Sequence, residues 1–356
     1  MVPGMKLRAP VSWLVDETSA LHSAADFLAG LSRRLLAEGL PLSAGALTLA
    51  VPHPIIARRT WLWRADSDAV IEALGFTAEG HDQAGYRWLA ELGSVQRDPV
   101  GAPPEGPILG WAGLQPFDPA EADLLRQVAR FSAAPLAAVS AREASATLLE
   151  AYLGRRSAAR VQAGALRRGD GEIIRAVLLS ADLRDFTAMS EATPPAQMIA
   201  ALDAWFDRIA GAVHAFRGEV LKFIGDGVLA IFPVTGPPAE ACEAALSAVN
   251  AARAGMAHLD AARQAQGLPP LPFGVALHLG EILWGNIGAV NRLDFTAIGP
   301  AVNLVSRLEG LCRPLGRSVL ISGAIAAHMT TKLVPLGEHK LRGIAPPCLV
   351  FTLPDA

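Results

Sequence analysis

Five polar residues in the second half of this 356-residue chain have the types and spacing for phosphate chemistry. Asp182 closes the apolar run 176–181, AVLLSA, which reads as a buried strand delivering an acid at its end. Asp226 stands between Gly225 and Gly227 within EVLKFIGDGVLAIF (219–232), where two apolar runs flank a glycine turn and predict a tight β-hairpin with a carboxylate at its tip. Lys222, four residues earlier, shares the strand face of Asp226 about 13 Å away at ~3.3 Å per residue. Asn303 and Arg307, also four apart, lie on one face of the helix opened by Gly299-Pro300. Two carboxylates brought together bind two hard cations, which activate an attacking oxygen and hold a triphosphate. Phosphoryl and nucleotidyl transfer need little else beyond positive charge where the transition state gathers negative charge. Taken singly, each residue also has an ordinary reading: a strand-end acid, a turn aspartate, a solvent-facing lysine, an exposed helix pair.

The elements that must carry these residues follow one another regularly. After Asp182, the turn Arg184-Asp185-Phe186-Thr187 offers backbone N–H groups to phosphate. Thr193-Pro194 starts a long helix with Met198, Leu202, Trp205, Ile209, Val213 and Phe216 on one face. The hairpin is followed by a helix over 239–259 and a strand over 273–279, which leads through Gly280 into 281–284 and the run GNIG. Then come a strand over 293–298, the Asn303/Arg307 helix, a strand over 318–321, a short helix after Ser322, HKLRG at 339–343 and a final strand. Strand, helix, hairpin, helix, strand is the βαββαβ order of a ferredoxin-like α+β domain.

Four ordered motifs, SADLRDFT, LKFIGDGVLAIF, ALHLGEILWGNIG and DFTAIGPAVNLVSRLE, together resemble the class III nucleotidyl cyclase family over about residues 172–352. The resemblance implies that Asp182 and Asp226 bind two Mg²⁺ ions per site (Mn²⁺ substituting), with Leu183 counted among the metal-binding residues. It implies that Lys222 reads adenine, Thr296 occupies the second purine-reading position, Asn303 positions the ribose and Arg307 stabilises the pentavalent phosphorus. Arg342, with Lys340 as the alternative, stands where a basic residue meets the terminal phosphates, and Phe186 and Thr187 belong to the phosphate turn. Threonine at position 296 resembles the subgroup that includes bicarbonate-responsive adenylyl cyclases. Lysine with threonine favours ATP, since an ammonium donates to adenine N1 whereas guanine N1 is itself a donor. The implied activity is conversion of ATP to 3′,5′-cyclic AMP and pyrophosphate. A guanylyl cyclase, or a weak cyclase-homology domain acting as a nucleotide-binding partner, is the alternative; a diguanylate cyclase would need a Gly-Gly-Asp-Glu-Phe motif. In this family the site forms between two domains, so one domain per chain implies a homodimer. Two departures stand out: Asp185 replaces the usual glycine of the phosphate turn, and Pro300 replaces a common acid. His278 and His214 sit in apolar surroundings and read as core histidines.

The first half is organised differently. Apolar residues at helical spacing over 18–37 predict an amphipathic helix ended by Gly39 and Pro41. Strand-like runs follow at 46–51 and around 60–64, and 98–107 reads as a Pro/Gly loop. Asp118-Pro119-Ala120-Glu121 gives an N-cap, a proline at the first helical position and a capping-box glutamate, and Pro135 should kink the helix that follows. Helix, short strands, loop and closing helix resemble a reduced GAF-like sensory domain of α/β type, which implies a small-molecule regulator. Five of the seven tryptophans (Trp13, Trp61, Trp63, Trp88, Trp111) lie here, either as core or as the lining of a ligand pocket. Residues 141–166 read as a connecting helix broken near Gly154, with Leu148, Leu149 and Tyr152 forming a narrow apolar stripe suited to contact between identical chains. The expected organisation is a regulatory domain over 1–140, a linker over 141–171 and a catalytic domain over 172–356.

A net charge of −3 and a pI near 6.3 argue against nucleic acid as a partner. Three cysteines without metal-ligand spacing, an N-terminus without a signal-peptide apolar run and no 20-residue apolar stretch point to a cytoplasmic protein off the membrane.

Overall fold

The computed structural model describes residues 8–355 apart from 22, 52–55, 77–82, 102–105 and 166. The chain packs into two compact units divided between Ala151 and Tyr152, so residues 152–171 pack with the second unit.

In the first unit an antiparallel five-stranded sheet is built from β1 (Leu42–Ala50), β2 (Arg58–Arg64), β3 (Val70–Gly75), β4 (Ser94–Pro99) and β5 (Ile108–Gly113), in the order β3-β2-β1-β5-β4. Its helices are α1 (Ala9–Asp16), α2 (Ala24–Ala37), α3 (Gln83–Leu92), α4 (Pro119–Phe131) and α5 (Ala133–Leu153). The helix expected over 18–37 starts only at Ala24. There Ser23 caps it by accepting from the Asp26 amide, and residues 18–20 form a 3₁₀ turn instead. The Asp118/Glu121 capping box forms as expected. The kink expected at Pro135 is instead a break at Ser132, leaving the proline near the start of α5, where a missing N–H costs nothing. Strand β4 runs through Asp98 and Pro99, so the loop expected from 98 begins later; 102–105 lie outside the described residues. Trp13, Trp61, Trp63 and Trp111 are buried in the core with Phe27, Leu28 and Leu31, and Trp88 is half-buried. A cavity of about 280 Å³ in this unit is lined by Leu49, Ala50, Val100, Pro107, Ala133 and Ser140 among others, and by no tryptophan.

The second unit opens with α6 (Arg155–Gln162), separated from α5 by Gly154 at φ +81°. Strand β6 (Gly171–Leu183), α7 (Phe186–Ala192), α8 (Pro195–Ala215), β7 (Glu219–Ile224), β8 (Gly227–Pro233), α9 (Pro238–Ala265) and β9 (Phe273–Ala289) follow. The four strands order as β9-β6-β8-β7 with every neighbouring pair antiparallel, the expected ferredoxin-like arrangement with α7 inserted. Strand β10 (Arg292–Ile298) folds back on β9. After α10 (Pro300–Glu309), β11 (Val319–Ser322) joins β9 in parallel; the short α11 (Gly323–Ala326) follows, and β12 (Val334–His339) and β13 (Cys348–Thr352) extend the sheet.

The two segments expected on either side of Gly280 are one 17-residue strand. Glycine there serves close approach, since a Cβ at 280 would lie 2.6 Å from the Ala301 Cβ of α10. One sheet face packs on α8 and α9 through Val177, Leu179, Trp205, Ile209 and Val249, and the other on α10 through Leu178, Ile231, Val305 and Leu308. His278 donates to or accepts from Ser322 Oγ at 2.9 Å, and burial lowers its pKa to about 4, a neutral core histidine. His214 is exposed on α8, against expectation, because its neighbours Ala212 and Val213 take the inward face. Cys242 and Cys312 are buried and free, and Cys348 is half-buried and free. Among the described residues no helix is long and apolar enough to cross a membrane.

Candidate active site

The sheet brings the two acids together from separate elements. Asp182 is the penultimate residue of β6, and Asp226 occupies the two-residue turn between β7 and β8, where Gly225 adopts φ +64°. Pairing of Ala181 with Val228 sets that turn beside the end of β6. The two carboxylates lie within hydrogen-bonding reach of each other. Burial first, then Asp226 and Glu309, push the Asp182 carboxyl from 3.8 up to about 8. Asp182 Oδ1 is buried without a hydrogen-bond partner.

A buried, uncompensated carboxylate oxygen facing a second carboxylate is a poor structural arrangement and a good cation seat. Among the described residues no cluster of three or more His, Cys, Asp or Glu is placed to hold a metal. The two aspartates are hard oxygen donors of the kind that could hold a divalent cation. Leu183 contributes no side chain, which is buried in the core.

Other side chains fix this pair. The Trp205 indole, fully buried and tilted against Phe273 with ring centroids 5.1 Å apart, donates to the Asp226 carbonyl at 2.9 Å. Glu309, at the end of α10, is raised in pKa by burial and feels Asp226, while Arg184 counters this. Arg184 also donates to the Arg317 carbonyl at 3.0 Å. The turn after β6 is left-handed at Asp185 even without glycine: Asp185 takes φ 56° and its carboxylate pairs with Arg313 at 3.1 Å. Phe186 packs its ring against the core, so only its amide faces the turn, whereas Thr187 is exposed.

The remaining residues form a second group. Lys222 on β7 makes an ion pair with Asp294 on β10. Asp294 and Thr296 are two apart on that strand and share a face, while Phe295 points the other way onto Trp284. Thr296 is buried. Asn303 and Arg307 both lie on the exposed face of α10, opposite buried Ala301, Val305 and Leu308. Lys340 and Arg342 are exposed just after β12. Within one chain the structure thus joins Asp182 to Asp226 and Lys222 to the Thr296 strand, and points Asn303 and Arg307 outward.

Sequence reasoning missed Asp294, Glu309 and Trp205. Asp294 alone carried a readable signal, an acid two residues before Thr296 on the same strand face.

Comparison with known proteins identifies the family of the second unit. The family model for the adenylate and guanylate cyclase catalytic domain matches residues 173–351. Adenylate cyclase 1 of Rhizobium meliloti is 38% identical over 168 residues, 46% of this chain and 25% of that protein. The adenylate cyclase of Anabaena cylindrica is 30% identical over 160 residues, 44% of this chain and 31% of that protein. The chain thus spans a quarter to a third of the length of these relatives. A solved bacterial light-regulated adenylyl cyclase shares the fold, with a TM-score of 0.54 at 17% identity over 88% of this chain and 94% of that one.

Proposed function

Because the chain belongs to the adenylate and guanylate cyclase catalytic domain family, we propose that it converts ATP to 3′,5′-cyclic AMP and pyrophosphate, with two copies completing each site. The observation that carries this reading is the facing pair Asp182 and Asp226, with Asp182 Oδ1 buried and unpartnered. Asp182 and Asp226 would hold the divalent cations, Mg²⁺ or Mn²⁺, with Leu183 beside them. Bound there, the cations supply Lewis-acid activation of the ribose 3′-hydroxyl and charge neutralisation on the triphosphate.

The chain's own residues do the rest. The Phe186 and Thr187 amides receive the phosphates, and Arg342 or Lys340 meets the terminal ones. The Lys222 ammonium keeps N–H donors for adenine N1 while Asp294 orients it, and the Asp294 carboxylate and Thr296 hydroxyl offer acceptors to the exocyclic amine. That donor beside acceptors complements adenine and opposes guanine, which presents the reverse pattern. Asn303 orients the ribose. Arg307 stabilises negative charge that grows only as the oxygen attacks phosphorus.

The outward aim of Asn303 and Arg307 supports a partner copy as the source of these two residues for each aspartate pair. The ion pair of Asp185 with Arg313 supports an active enzyme, because it offsets the extra charge in the phosphate turn. The first unit, read as GAF-like, would take a small-molecule regulator, and Thr296 makes bicarbonate a second candidate signal for a cytoplasmic enzyme. A rate that stays flat across a bicarbonate titration at fixed pH would remove that candidate.

The deciding experiment incubates purified protein with ATP or GTP and Mg²⁺ or Mn²⁺ and follows the cyclic product. Cyclic AMP from the wild-type chain and none from Asp182→Asn or Asp226→Asn is the expected result. Cyclic GMP in excess, or product that persists in both variants, would overturn the assignment.

A further inference from the structure

Glu219, the first residue of β7, is the acid the catalytic reading leaves without a task. Its side chain is only 5% exposed. Oε1 accepts from both the Ser157 amide and the Ser157 hydroxyl at 3.1 Å, at the N-terminal turn of α6. Oε2 is buried without a hydrogen-bond partner, and the nearest guanidinium, Arg156, stands 4.0 Å away. Burial accordingly raises the carboxyl's pKa against the Ser157 and Arg156 contacts that lower it. An acid held at this cost on a sheet edge needs a reason.

Three observations supply one. First, β7 is the terminal strand of the sheet, paired among the described residues to β8 alone, and a register shift interrupts that pairing between Val220 and Lys222. Its ladder alone holds it weakly. Second, Gly154 is shaped around Glu219: it adopts φ +81°, and a Cβ there would lie 2.9 Å from Glu219 Oε1. Third, α6 lies behind the base-reading strands. Val161 of α6, and Leu153 just before that helix, pack against the core that contains Leu221, Trp284 and Phe295, the sequence neighbours of Lys222, Gly285 and Thr296. Arg160 covers the Trp284 ring at 5.4 Å, and Asn286 anchors the segment after α6 by donating to the Ala165 carbonyl at 2.6 Å.

We infer that Glu219 is a positioning residue whose latch onto Ser157 fixes β7 against α6 and thereby sets where Lys222 meets the purine. The inference rests on the nucleotide-reading role given to Lys222 above. It also makes α6 a lever: whatever shifts the start of α6 moves the base-reading lysine without touching the aspartate pair.

The test uses the full chain with Ser157→Ala, Glu219→Ala and the acceptor-conserving Glu219→Gln. Hydrogen exchange by mass spectrometry compares peptides over 219–224 with peptides over 176–183. Competition of ATP and GTP against a fluorescent ATP analogue gives the binding preference without turnover. Ser157→Ala and Glu219→Ala should speed exchange in 219–224 about fivefold, the opening ratio one hydrogen bond typically supplies. The ATP-over-GTP preference should fall with it, 176–183 should stay unchanged, and Glu219→Gln should restore both readouts. Unchanged exchange in 219–224, or faster exchange with an unchanged preference, would overturn the inference. So would equal acceleration in both peptides, which marks general loosening. A wild-type chain that prefers ATP in competition but yields no cyclic product counts against the cyclase reading alone.

Discussion

Lys222 and Asp294 form an ion pair between two strands that are not neighbours in the sheet order, β7 and β10. The lysine is about a quarter exposed and the aspartate more than half, so the pair orients more than it stabilises. Asp294→Asn should lower the kcat/KM preference for ATP over GTP by about two- to fivefold, the reach of a pair worth ~0.2–1 kcal/mol. Protein stability should change little. Steady-state kinetics on both nucleotides checks this, and an unaltered preference would refute the orienting role.

Asp182 makes the metal-free protein sensitive to pH. Its folded pKa lies near 8 because burial and Asp226 oppose ionisation, so the folded chain binds the proton more tightly than the unfolded chain. That contribution to stability is fully present below the ordinary value of 3.8 and is lost as pH rises through about 8. The Tm in chelator should therefore fall from pH 6 to pH 9. Apparent Mn²⁺ affinity should rise over the same interval, since cation and proton compete for one carboxylate. Asp182→Asn should raise the Tm in chelator at pH 8 and abolish the Mn²⁺-induced shift; calorimetry at several pH values would show either failure.

Asp185 pairs a left-handed backbone with a negative side chain beside the expected triphosphate seat. Asp185→Gly removes both the backbone cost, of order 1 kcal/mol, and the charge. The KM for ATP should fall, and stability should hold or rise slightly even though the Arg313 ion pair is lost, because that pair is exposed at both ends. A raised KM in this variant would mean the carboxylate assists binding.

Arg307 sits exposed on α10 opposite a buried apolar face, so its removal should leave the fold intact. Arg307→Ala should cut kcat about 10²–10³-fold with a much smaller change in KM, as loss of a group acting mainly in the transition state does. A raised KM with kcat unchanged would assign it to ground-state binding.

Much of the second unit was legible because local chemistry and tertiary demand agree there. The glycines around Asp226 specify a turn and the structure uses them as one, and the strand and helix periods give the ferredoxin-like order. Where they disagree, sequence misleads. Gly280 ends the expected strand 273–279 but serves Ala301's closeness within a longer one, and Gly285 is required because a Cβ would lie 2.2 Å from the Asp170 carbonyl. Both are facts about distant chain segments. The apolar spacing over 18–37 hid the break before Ala24, where the Ser23 side chain accepts from the Asp26 amide. Asp294 and Glu219 were invisible as partners because their contacts span 72 and 62 residues. Asp182 and Asp226 were paired only through resemblance, and the sheet register supplies the physical reason.

Strand β9 has a mechanical consequence. At Gly285 it is bonded to Gly171 of the Asp182 strand along one edge and to Thr296 of β10 along the other. A single backbone thus joins the strand of Asp182 to the strand of Thr296, and bending it would break two ladders at once. Compliance is left to the periphery, above all to the rim strand bearing Lys222, whose pairing to β8 is interrupted by a register shift.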